Sequence, residues 1–118
     1  MEARARIKNV AVAPRKARLV ADLVRDRYVE DALNQLSFIH KAISPVIQKL
    51  IRSAIANAQY QDSAIDESNL FIKKIFIDEG IARKWMRPRA RGMANRILRR
   101  RCHITVVLDQ ERADDDKV

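Results

Sequence analysis

Hydrophobic positions along the chain change their period twice. Over Arg4–Val12 apolar and polar residues alternate loosely, with β-branched Ile7, Val10 and Val12, which predicts a short strand. Pro14 then suits the first turn of a helix, where its missing N–H is not needed. Ala17, Val20 and Val24, flanked by Leu19 and Leu23, recur at three-to-four spacing and carry that helix to about Arg27. Val29, Ala32, Leu33 and Leu36 mark a second helix over Glu30–His40, with Glu30 and Asp31 complementing the positive end of its dipole. At Ser44–Pro45 a capping hydroxyl precedes a helix-starting proline. Ile47, Leu50, Ile51, Ala54, Ile55 and Ala58 follow as the cleanest amphipathic stripe in the chain, ending near Tyr60. Gln61–Asn69 is polar and turn-like.

From Leu70 the residue types change. Leu70–Ile77 and Ile104–Leu108 are rich in Ile, Val, Phe and Thr and predict paired antiparallel strands. The pattern as a whole predicts one α+β domain over residues 1–108: three helices on a small antiparallel sheet, extended by a long β-hairpin over about 70–108. Residues 109–118 form an acidic tail, expected to be disordered. Gly80, after Asp78–Glu79, is expected to bend the hairpin where it leaves the body. A turn near Ala90 lets the arm reach about 60 Å at about 3.3 Å per residue.

Charge alters this picture more than composition does. Between Gly80 and Arg101 stand nine basic residues, Arg83, Lys84, Arg87, Arg89, Arg91, Arg96, Arg99, Arg100 and Arg101, and no acid. Their +9 equals the net charge of the whole chain, so the rest of the molecule cancels to neutrality. If the strand is continuous, Arg99 and Arg101 point to one face and Arg96 and Arg100 to the other, leaving no side free to pack on a core. A two-stranded arm of this charge is marginal alone, so surrounding nucleic acid is expected to order it. Arg predominates, and its planar fork grips phosphate and stacks on bases. Around Pro88, Arg83, Trp85, Arg87, Arg89 and Arg91 share one parity, giving a cationic edge with a stacking indole. Arg15, Lys16 and Arg18 crowd the first turn of the first helix, where cations are unfavourable unless an anion binds there.

Other chemistry finds little support. One cysteine, Cys102, cannot form an internal disulfide and points to a reducing compartment. The longest apolar run is far shorter than the roughly 20 residues a membrane span needs. Cys102 and His103 are adjacent on a strand and face opposite ways, so they make a poor nucleophile–base pair. Metal-ligand spacing, phosphate loops and dinucleotide fingerprints do not occur, and no cofactor is expected.

Val12-Ala13-Pro14-Arg15-Lys16-Ala17-Arg18-Leu19-Val20, Ala54-Ile55-Ala56-Asn57-Ala58, Arg87-Pro88-Arg89-Ala90-Arg91-Gly92 and Arg101-Cys102-His103-Ile104-Thr105-Val106-Val107 occur in an order and spacing that resembles the bacterial type of the L-twenty-two family of large-subunit ribosomal proteins. The resemblance runs from about Ala3 to Leu108. It implies a body near the mouth of the peptide exit tunnel, contacts to 23S rRNA and a role in subunit assembly. It implies neighbours including the ribosomal protein L-four, and a hairpin tip that lines the tunnel beside the nascent polypeptide. The tip would span about Lys84–Asn95, with Trp85, Met86, Arg87, Pro88, Arg89, Ala90, Arg91, Gly92 and Met93 at its centre. Ala13 stands where the family usually has a capping Ser, Trp85 and Met93 where basic residues are usual, and Cys102 where a small hydroxyl residue is usual. The rival reading is a free-standing basic nucleic-acid-binding protein that uses a β-hairpin arm.

Overall fold

The computed structural model describes residues 2–81, 83–88 and 94–110, and side chains for those outside 83–99. Strand β1 (Glu2–Val10) leads into helices α1 (Pro14–Val24), α2 (Val29–Ser37) and α3 (Ser44–Gln61). A short 3₁₀ turn (Glu67–Asn69) precedes β2 (Leu70–Glu79), β3 (Arg83–Pro88), β4 (Ala94–Arg99) and β5 (Cys102–Gln110). The expected α+β architecture is present: β1, β5 and β2 form one antiparallel sheet in that order, and β3 and β4 form a separate ribbon. The Cα radius of gyration is 18.0 Å, against about 13 Å for a compact chain of this length. The longest dimension is 69 Å, so the molecule is elongated.

Alternation along the strands makes the core one-sided. Ala3, Ala5, Cys102, Ile104, Val106, Leu108, Ile72, Ile75 and Ile77 turn inward and are buried. The helical stripes close over them: Ala17, Val20, Ala21 and Val24 from α1, Val29, Ala32 and Leu36 from α2, and Ile47, Leu50, Ile51, Ala54, Ile55 and Ala58 from α3. α1 also seals the outer edge of β2, where Arg18 and Arg25 donate from their guanidinium Nη2 atoms to the Ile77 and Ile75 carbonyls at 3.1 and 3.0 Å. Asn57 ties α3 to β1 through the Arg4 carbonyl at 2.9 Å.

Several boundaries differ from the sequence reading, each for a local reason. β1 starts at Glu2 and ends at Val10, where Asn9 adopts φ 59° and the register with β5 shifts. α1 stops at Val24 rather than Arg27: Arg25 is already extended at ψ 137°, and Asp26 takes the left-handed conformation at φ 63°. The Arg27 Nε then caps the Leu23 carbonyl at 2.8 Å. β5 continues past Leu108 through Asp109 and Gln110, which pair with Phe71 and Leu70, so the first two residues of the expected tail are strand; the remaining eight lie outside the described residues.

Ser44 is not the cap of α3. Ile43 already has helical angles and is buried, which makes Ser44 the first helical residue and turns its hydroxyl inward without a partner. Burial of Ile43 outweighs the cap that the hydroxyl would otherwise provide. Ser44→Ala is therefore expected to stabilise the fold by about 1 kcal/mol. The check is a higher urea midpoint at unchanged slope; a lower midpoint would mean the hydroxyl is satisfied.

Candidate nucleic-acid interface

The arm joins the body through a break in its ladder. The main sheet ends at Glu79↔Cys102, the ribbon begins at Arg83↔Arg99, and between them the Gly80 N–H donates to the Arg101 carbonyl at 2.8 Å. Four residues advance on the outgoing side against three on the return, so one extra residue is accommodated here, as it is at Lys73 in β2. Gly80 suits the crossing, since a Cβ there would lie 3.2 Å from the Arg101 carbonyl oxygen and from His103 Cε1. This break also corrects the parity argument: Arg100 and Arg101 lie outside both strands, so faces cannot be counted continuously from Arg96 to Arg101.

Beyond the break, the pairs run Lys84↔Leu98, Trp85↔Ile97, Met86↔Arg96, Arg87↔Asn95 and Pro88↔Ala94. Arg83 and Arg99 are direct cross-strand partners in this register. The tip residues Arg89, Ala90, Arg91, Gly92 and Met93 lie outside the described residues.

Closure of the sheet brings one residue of the arm's basic set, Arg100, to the basic start of α1. Arg15, Lys16 and Arg18 from the first turn of α1 line a cleft with Ala13, Pro14, Glu79 and Arg100. Ala13 provides no side-chain cap, as its position opposite the usual serine implied. The cleft thus combines the positive end of α1 with four cationic side chains and one acid. Glu79 was not anticipated at this site; it pairs with Arg100 at 3.2 Å. Such a pair can open to an incoming phosphate, because both side chains are more than half exposed. Arg18 is divided between this cleft and the β2 edge. Arg101 is half-buried and is not among the residues lining the cleft.

Cys102 and His103 separate as strand geometry requires. Cys102 is buried, and burial pushes its thiol up against the opposing charge of Arg18. His103 sits on the other face, where its Nδ1 accepts the Asn9 N–H at 3.0 Å. Native protein is therefore expected to resist maleimide at Cys102 until it unfolds. A folded thiol raised above its unfolded value contributes full stability below the unfolded thiol range and loses it as pH rises, so the urea midpoint should decline in alkali; rapid native labelling would refute the burial.

Residues 5–109 match the family described as ribosomal protein L22p/L17e. The chain is 44% identical over 108 residues to the large ribosomal subunit protein uL22 of two strains of Lactobacillus delbrueckii subsp. bulgaricus, an alignment covering 92% of both proteins. A one-sided α+β body, a basic arm and a match across nearly the whole chain agree: the chain belongs to the ribosomal protein L22p/L17e family and is a ribosomal structural protein, not an enzyme.

Proposed function

We propose that this constituent of the large ribosomal subunit holds 23S rRNA in two places, the cleft at the start of α1 and the ribbon beyond Gly80, and that its tip forms part of the exit-tunnel wall. The observation that carries this reading is the convergence of Arg15, Lys16, Arg18 and Arg100 at an uncapped helix start. That arrangement suits a phosphate, which the helix N–H groups and guanidinium forks both favour. The ribbon, with Arg83 opposite Arg99 and Met86 opposite Arg96, extends the same charge away from the body. Anchoring several rRNA segments through one rigid body supports a part in subunit assembly. Lys84–Asn95, with Trp85 and Pro88 among them, would face the nascent polypeptide and the ribosomal protein L-four.

Sedimentation of a tagged copy through a sucrose gradient tests this. Co-migration with the large subunit that survives a high-salt wash is expected. A free peak at the top of the gradient, or association with DNA, would favour the free-standing reading instead.

A further inference from the structure

The helices all pack on one face of the main sheet, and no described element covers the other. The pairing register shows what that open face carries. One row across the strands reads Arg6–Thr105–Phe76, and the next reads Arg4–Val107–Lys74. Toward one end lies Glu2–Asp109–Phe71, continued by Tyr28, which bridges to Phe71. Three of the six aromatic residues in the chain therefore stand on the face that contributes nothing to the core.

Exposure and charge separate this face from an ordinary solvated sheet. Thr105 and Val107 at its centre are only 3% and 2% exposed, so flanking side chains lie over them. Phe76 remains 42% exposed beside them. The acids are already engaged: Glu2 and Asp109 pair with Lys73, and Asp78 lies 4.0 Å from Arg6. Arg4 and Lys74 are exposed and make no ion pair among the described residues, although Lys74 lies within electrostatic reach of Glu2. An exposed ring thus remains on this face, with Arg4 and Lys74 together in the neighbouring row.

We propose that this helix-free sheet face is a second RNA site, one for an unpaired single strand: Phe76 stacks a base while Arg4 and Lys74, in the neighbouring row, hold the adjoining phosphates. Bases in a duplex keep their faces stacked on each other, so only an unpaired nucleotide can present one to the ring. Same-face rows lie about 6.8 Å apart along the strands, similar to the step between phosphates in an extended strand. Phe71 lies further along the same face for a neighbouring base. The positive balance left after internal pairing favours a polyanion over a protein segment. This site rests on the chain being an RNA-binding protein, and it is separate from the cleft and the ribbon.

The test compares binding of a short labelled oligouridylate and of an RNA duplex of equal length to the full chain. Phe76→Ala should weaken oligouridylate binding by about 5- to 100-fold and leave duplex binding unchanged, while Phe76→Tyr retains both. Arg4→Glu should weaken oligouridylate binding more than Lys49→Glu on exposed α3, and it serves if Phe76→Ala melts early. Ultraviolet crosslinks from the oligouridylate should fall on residues 74–79. Unchanged binding by Phe76→Ala and Arg4→Glu, with crosslinks confined to residues 83–101, would overturn the proposal. So would crosslinks from this face to protein rather than rRNA in purified large subunits. Failure of the parent chain to bind either RNA would instead refute the RNA-binding reading beneath it.

Discussion

Alanine at Arg96, Arg99, Arg100 and Arg101 together is expected to lower rRNA affinity and to flatten its dependence on salt. A chain making six to ten phosphate contacts should lose about 10³–10⁵ in affinity between about 50 and about 200 mM salt. Each contact removed takes about 0.9 from the slope of log affinity against log salt, so four take about 3.6. Arg99 faces Arg83 across the ribbon, and Arg100 lines the cleft at the start of α1, so the variant weakens both anchoring places. Lys49→Ala and Arg52→Ala on the exposed side of α3 supply the comparison, since neither residue lines the cleft. An unaltered slope in the quadruple variant, measured by filter binding across salt, would remove the arm from the interface. The same substitutions should not lower the urea midpoint of the body, because none of the four residues belongs to its core.

The body should respond to truncation of one aliphatic side chain in its centre far more than to the loss of a whole surface ring. Ile51 is fully buried on α3, and Leu108 is fully buried on β5, the strand that both others need as partner. Truncating either to alanine removes apolar contacts and leaves a cavity, at a cost of about 2–5 kcal/mol. Total stabilities of about 5–15 kcal/mol make that a large fraction. Phe38 is 80% exposed, and Phe38→Ala should change stability by less than about 0.5 kcal/mol. Urea unfolding at matched slopes checks both; equal effects at Leu108 and Phe38 would contradict the one-sided core.

The helices were legible because their apolar stripes repeat without interruption: every residue of the α3 stripe read from spacing is buried. Their ends were less so. Backbone conformation at Asp26 and the pull of Ile43 into the core are tertiary effects that leave no periodic trace. Strand identity was legible in β2 and β5, yet nothing in residue type says that β5 lies between β1 and β2. The charge of α1's first turn raised the expectation of an anion there, whereas the arrival of Arg100 and Glu79 beside it depends on that strand order. The alternation over Arg4–Val12 predicted a strand but not what its outer face meets. Only the register could place Phe76 across Thr105 from Arg6, and Lys74 across Val107 from Arg4.

Pairing Glu2 with Asp109 also sets the order of events when the protein is made. The ribosome adds about 5–20 residues each second, so β1 waits roughly 5–20 seconds for its partner to be synthesised. β2 waits as well, since β5 is its neighbour in the main sheet. The helices need only local contacts and can form meanwhile, but their apolar stripes have no finished sheet to cover. High contact order of this kind slows folding and leaves strand edges open to other chains. A nascent copy therefore completes its fold only after almost its entire length has been released.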